Sequence, residues 1–327
     1  MNNQIQQILI DTIREKVPQE HNLAVYLADK LNLGRESVYR RLRGEIYFTF
    51  DEIALLSQEF GFSIDNIVGA KSGQNALFNI HMLQEGAEYL DIYMNKMKEY
   101  GRMFSEMSEH SDLKARISIN TLPYYLHIGH DNLSRFRIYK WLHQNLKIGT
   151  NDKFADFELP EEILQTHKSF NQDIQKLPDI TIIMDGNIFW SAAKDIAYFQ
   201  KRGLLSEEDV QILKNELLEI IDTIEEDATK GSSKSGARTS IYISSVDLEA
   251  SYLHFENDER QFSQVRVFSI SAIDSSNEGL CRIQKEWIES LKKYSVLISK
   301  SGEMQRYEYM NRQREIINNI ACLETVA

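Results

Sequence analysis

The chain has 327 residues, 42% hydrophobic and 26% charged, with a formal net charge of −12. This composition excludes a disordered chain, and the length exceeds the roughly 100 to 200 residues of one domain, which predicts a small unit joined to a larger one. The two cysteines, Cys281 and Cys322, stand far apart without CxxC spacing, which speaks against a disulfide framework or a thiolate zinc site.

The N-terminal "MNNQIQQILIDTIREK" lacks the basic start and continuous apolar core of a signal peptide. No stretch approaches the roughly 20 apolar residues that span a bilayer, so a soluble, cytoplasmic protein without membrane contact is expected. The acidic balance confines any nucleic-acid contact to a local face; acidic parts beyond a Debye length, about 8 Å at physiological salt, are screened from it.

"NQIQQILIDTIREKV" reads as an opening helix. Leu23, Leu27, Ala28 and Leu31 then recur at helical spacing behind a candidate N-cap, Asn22. A break follows at "NLG", where Asn32 tolerates a left-handed turn and Gly34 opens the next segment, with Val38 and Leu42 on one face. "TFDEIALLSQEF" opens on a capping box, Thr49 with Glu52, and carries the stripe Ile53, Leu56, Phe60 up to a stop at Gly61. Ser63 can cap a last short helix bearing Ile64 and Ile67, making five helices in all.

Asn22 to Val68 resembles the helix-turn-helix domain of lambda-repressor-like (xenobiotic-response-element type) transcriptional regulators. The resemblance is carried by "LADKLNL", "SVYRRLRGE" and "T-x-D-E-I-x-x-L-x-x-x-F-G-x-S-x-D-x-I". It implies that Ala28, Asn32 and Val38, with Leu42, set how closely the two motif helices cross. It further implies DNA binding, with Arg35, Glu36, Tyr39 and Arg40 reading base edges and Ser37 and Arg43 positioning the backbone. The chain departs from the family pattern at Ala24, where Gln is common, at Asn32 for Gly, and at Gly34 for Ser or Thr. Arg41 stands where the family has a bulkier packed residue. Without the resemblance, the same charges would read as a solvated helix face.

Ala76, Ile80, Leu83, Ala87, Leu90, Met94 and Met97 alternate by four and three up to Phe104, predicting a long connecting helix over 73–104 between a 1–72 head and a 105–327 body. Phe78, Tyr89, Tyr93 and Tyr100 make its other faces apolar, favouring packing on the body over an intermolecular coil; by either route a homodimer is expected.

In the body, "ARISINTLPYYL" and "DITIIM" read as strands, and "NLSRFRIYKWLHQNL", "WSAAKDIAYFQKRG" and "SEEDVQILKNELLEIIDTIEEDATK" as helices, the last begun by Ser206. "GSSKSGARTS" is an exposed loop, and "SIYISSVDL", "SYLHFEN" and "QVRVFSISAI" suggest an antiparallel meander. Two further helices, "EGLCRIQKEWIESLKKY" and "EMQRYEYMNRQREIINNIACL", flank the strand-like "SVLIS". The expected fold is α+β overall: an all-α head, a connecting helix and a larger mixed body. Through "RFRIYKWL" and "EWIESLKKYSVLIS" the body is similar to those of uncharacterised bacterial regulators with the same kind of head. This implies dimerisation or the sensing of an unstated effector.

Several strings carry no chemistry. "HIGH" at His127 to His130 and "ISKS" at Ile298 to Ser301 match synthetase signatures but precede no nucleotide-binding βαβ unit. "GSSKSGART" places Ala237 and Arg238 where a phosphate loop needs Lys and Ser or Thr. His127 and His130, with Asp131 or His143, lack a second ligand cluster, so no metal is expected. Tyr124, Tyr125, Phe136 and Trp141 read equally as core or as the wall of an effector pocket. No reaction and no cofactor are expected. The alternatives are a head that binds another protein through its arginines and, third, an enzymatic body fused to a DNA-binding head.

Overall fold

A computed structural model describes residues 2–16, 22–64, 67, 78–80, 89–145, 147–267 and 270–323. The chain is mixed α and β and divides into two compact units, Met1–Leu77 and Phe78–Ala327.

The first unit is helical, with α1 (Asn2–Lys16), α2 (Leu23–Lys30), α3 (Arg35–Leu42) and α4 (Phe50–Phe60). Asn22 caps α2, its Oδ1 accepting from the amides of Ala24 and Val25 at 3.1 and 3.3 Å. Asn32 takes φ 50°, the left-handed turn that lets α3 leave at an angle to α2. The Thr49–Glu52 box is complete, and Gly61 ends α4 at φ 64°. Leu9, Ile10, Ile13, Leu27, Val38 and Leu56 meet in one core, with Ala28 and Leu42 half-buried against it. Ile64 and Ile67 are helical, but most of the fifth helix expected there lies outside the described residues.

The second unit opens with β1 (Asn79–Ile80) and α5 (Tyr89–Ser108). Ile80 therefore corrects the expected connecting helix: it pairs with Ile273 as a sheet edge, because its backbone finds a strand partner that a helix could not use. Ala76, Leu83 and Ala87 lie outside the described residues. In the remainder of the seam, Met94, Met97 and Phe104 are buried in the core of this same unit.

There follow β2 (Lys114–Ile119), the single turn α6 (Tyr124–His127), α7 (Asp131–Gln144), α8 (Glu161–Ile174), β3 (Asp179–Met184), α9 (Ile188–Lys201) and α10 (Glu207–Lys230). Then come β4 (Arg238–Ser244), β5 (Tyr252–Glu256), β6 (Gln261–Val267), β7 (Ser271–Ser275), α11 (Glu278–Leu291), β8 (Ser295–Leu297) and α12 (Glu303–Asn318). Among the described residues the eight strands form one mixed sheet in the order β1-β7-β6-β5-β2-β3-β4-β8. β2, β3 and β4 are parallel, joined by helical crossovers long enough to return the chain in the same direction; the other pairings are antiparallel.

The expected meander is displaced by one strand. "SIYIS" pairs parallel with β3 and antiparallel with β8, and the meander is β5, β6 and β7, because "QVRVFSISAI" divides into two strands. α8, which the sequence analysis did not single out, packs beside α5.

Strand alternation distributes the sheet's two faces. Ile117, Ile119, Ile182, Ile241 and Phe255 enter the larger core, which also takes up α5, α7 to α10 and α12. Ile183, Tyr242 and Tyr252 point the other way, toward Ile288 and Leu291 of α11.

Candidate functional site

Two places hold the polar chemistry that the sequence raised: the solvent side of α3 in the first unit, and a cavity in the second. α3 begins at Gly34, which supplies no side-chain cap. Val38 is fully buried and Leu42 half-buried, so the helix seats by that face, while Arg35, Glu36, Tyr39, Arg40 and the following Arg43 are exposed. These five expected contact residues thus share the exposed part of one short segment.

Ser37 differs. Its hydroxyl accepts from Arg41 Nη1 at 2.7 Å, which ties it to the packed side of the helix. Arg41 is buried, and its guanidinium makes a two-point pair with Glu52, Nε to Oε2 at 2.9 Å and Nη2 to Oε1 at 2.8 Å. Glu52 is also the capping residue of α4, and Gln6 of α1 donates to the Arg41 carbonyl at 3.2 Å. One of the four arginines is therefore structural: it joins α3 to α4, and the packed place is filled by the aliphatic stem of an ion-paired side chain.

Arg43 donates to Glu45 Oε1 at 2.6 Å and Glu36 Oε1 at 3.3 Å, and Arg40 to Glu45 Oε2 at 3.4 Å. The Arg43 hydrogen bond holds the Glu45 carboxyl below the usual range. Exposed pairs of this kind are weak because water screens them, so a phosphate or base edge can replace them at small cost. Arg35 makes no hydrogen bond or ion pair among the described residues. Tyr47 and Phe50, on and just after the α3–α4 loop, are 53% and 72% exposed. The sequence reading passed over them because Phe50 stands inside a capped, helix-forming run.

The second place is a cavity of about 740 Å³ between the inner sheet face and helices α5 to α8. Most of its wall is apolar, from side chains such as Met97, Phe104, Ile117, Phe170 and Phe255. Tyr124 and Tyr125 line it; Phe136 lines a smaller cavity of about 280 Å³, and Trp141 is buried. Arg137 of α7 and Arg266 of β6 line both cavities. Burial lowers Arg137 to about 10; burial and the charge of Arg137 together push Arg266 well below the ordinary guanidinium range. The Arg137 guanidinium also sits 4.9 Å from the Tyr124 ring centroid.

Behind this wall His167 of α8 is buried, with Tyr93 and Tyr124 hydroxyls at 2.7 and 2.9 Å from Nε2 and Ser134 Oγ at 2.5 Å from Nδ1. Burial, and then the charge of Arg137, lower His167 to about 4, so it is neutral and one ring nitrogen donates while the other accepts. The group orients two tyrosines of the cavity wall. Among the described residues no carboxylate orients the imidazole as one would in a catalytic triad.

The "HIGH" histidines sit apart from each other, His127 on the wall of the smaller cavity. His127 ends α6, with Nδ1 3.1 Å from the Pro123 carbonyl, and His130 precedes α7, 3.4 Å from Glu219. His143 Nε2 meets the Thr150 carbonyl at 3.2 Å. Among the described residues no three His, Cys, Asp or Glu side chains gather as metal ligands, and no helix is long and apolar enough to cross a membrane.

Arg137 and Arg266 were missed in the sequence for identifiable reasons. α7 is buried on almost every side, so no periodicity marks Arg137 as inward. In "QVRVF" the valines suggest the core face, yet Phe262, Gln264 and Arg266 point to the larger core, because α11 covers the other side of β6 and both faces are occupied.

Compared with known proteins, the chain matches no family model, no curated protein and no solved structure.

Proposed function

We propose that the protein is a sequence-specific DNA-binding transcriptional regulator that acts as a homodimer, the first unit forming a helix-turn-helix DNA reader and the second providing dimerisation or effector sensing. The observation that carries this reading is the division of labour on α3. Val38 and Arg41 are consumed in packing, and Arg35, Glu36, Tyr39, Arg40 and Arg43 are left exposed behind a left-handed turn at Asn32. A helix seated in this way presents guanidinium forks to guanine edges and a carboxylate to cytosine.

In a chain of net charge −12, such a concentration of arginine on one short helix supports a local anionic partner over a generally basic surface. Half-site spacing of about one helical turn then calls for two copies. The reading needs no reaction and no cofactor.

Selection of bound duplexes from a random pool by the full-length protein at physiological salt tests it. A two-fold-related motif is the expected result, and no enrichment at any salt concentration would refute it. A second reading, a head that docks on another protein, rests on Tyr47, Phe50 and Leu55, all more than half exposed. It predicts no steep salt dependence of DNA affinity, since no counterions would be released.

A further inference from the structure

We infer that the outward side of α11 is the surface through which two copies of this chain associate, the two helices lying antiparallel about a two-fold axis. α11 covers the sheet face opposite the larger core, seated there by Ile288 and Leu291. Away from the sheet, Ile283 and Trp287, one turn apart, are 62% and 50% exposed. Trp287 continues the patch to Tyr294 and Val246, which are also exposed and line one hollow with it. A contiguous apolar patch on a helix that forms the outermost layer marks an interaction surface.

The charges beside the patch identify the partner. Some charged side chains of α11 and the turn after it are used within the chain: Lys285 pairs with Glu256, and Glu289 with Arg116 and Lys292. The side chains of Glu278, Arg282, Glu286 and Lys293 are exposed and make no hydrogen bond or ion pair among the described residues. At 3.6 residues per turn these four fall in one row along the edge of the apolar pair, in the order acid, base, acid, base.

That order complements its own reverse. When two antiparallel helices are related by a two-fold axis, each edge of the contacting face meets the same edge of the other copy. With the axis level with Lys285, Arg282 meets the partner's Glu286, Glu278 meets the partner's Lys293, and Ile283 packs on the partner's Trp287, each contact occurring twice. A parallel two-fold pair would instead set the charged row against the apolar edge. A different protein would need no such symmetry in the row, so a second copy of this chain is the partner that the pattern fits.

The assignment rests on the homodimer of the proposed function and names its surface, and its test uses no DNA. Full-length protein is followed by sedimentation velocity over a concentration series spanning the micromolar range. A dimer is expected. Ile283→Ser combined with Trp287→Ser should weaken it roughly tenfold or more, through loss of the central apolar contact. Arg282→Glu alone and Glu286→Arg alone should each weaken it by roughly tenfold or more as well, because each sets like charges against one another at two places.

The two charge-reversed variants decide the geometry when they are mixed. One copy then carries acid at both positions and the other carries base at both, so the mixture should associate about as tightly as the unaltered protein although neither variant does so alone. The chain carrying both exchanges should likewise recover the dimer. A dimer indifferent to these substitutions, or a mixture that stays as weak as either variant alone, would overturn this surface and leave the homodimer standing. A chain that stays monomeric at the highest concentration would overturn both. Neither result bears on whether the first unit selects DNA.

Discussion

Arg41 and Glu52 are joined at two points, 2.9 and 2.8 Å, with only 10% and 14% of their side chains exposed, and the same carboxylate caps α4 through the Thr49 amide at 2.9 Å. A single pair thus sets the positions of α3 and α4 together. The exposed arginines of α3 owe their placement to a buried one.

Arg41→Ala should therefore destabilise the first unit by about 3 kcal/mol, since it leaves a mostly buried carboxylate without its countercharge. Denaturant melts of the full-length protein would show it as an earlier, separate transition. Arg41→Met combined with Glu52→Gln should recover more than half of the loss, because it removes both charges and Gln can still cap. If Arg41→Ala melts like the unaltered protein, the pair is not what joins these helices.

On the proposed DNA function, Arg40→Ala should cost about 1 to 3 kcal/mol on the selected operator and relax the preference at one base pair. Arg43→Ala should weaken selected and random duplexes alike and lower the salt slope by about one. Glu45→Gln should strengthen binding to both, because it frees Arg40 and Arg43 from their present partner. Equal losses on both duplexes for Arg40→Ala and Arg43→Ala would reject these separate roles.

His167 gives the second unit a definite pH dependence. Its pKa is lowered from 6.5 to about 4 by burial first and the Arg137 charge second, so below pH 6.5 the unfolded chain binds the proton that the folded chain refuses. Its contribution is complete above pH 6.5 and falls as pH is lowered toward 4, by on the order of 3 kcal/mol in total. Denaturant titrations should show the advantage of the unaltered protein over His167→Gln shrinking between pH 7 and 4.5. A constant difference across that range would contradict a buried neutral imidazole.

Asp227 acts in the opposite sense. Burial, and then the charge of Glu226, raise its pKa from 3.8 to about 6, and its Oδ1 has no hydrogen-bond partner among the described residues. Between pH 3.8 and 6 the folded chain holds a proton that the unfolded chain has lost, so this group lowers stability as pH rises through that window. Asp227→Asn should raise Tm at pH 7.5 more than at pH 4.5. A pH-independent change in Tm would show that the carboxyl ionises normally.

Much of the first unit was legible in the sequence because its signals are local. Asn22, Asn32, Thr49 with Glu52, and Gly61 each act within a few residues, through a side-chain cap or a backbone conformation, and each stands in its expected place. The same local logic placed Ser206 at the start of α10 and the strand at Asp179–Met184. The α+β character followed from the mixture of periods along the chain.

Pairing across the chain was not legible. A heptad-like run does not reveal that Ile80 will meet Ile273 in a strand, and a short apolar run does not reveal whether its neighbour is parallel or antiparallel. Burial of charge was equally hidden. Arg41, Arg137 and Arg266 look like surface residues in sequence because arginine usually is one, and each turned inward where a distant carboxylate, a cavity or a helix-covered sheet gave it reason to. Short-range hydrogen bonding let the sequence determine the caps and turns; only long-range packing could decide which arginines face solvent and which the interior.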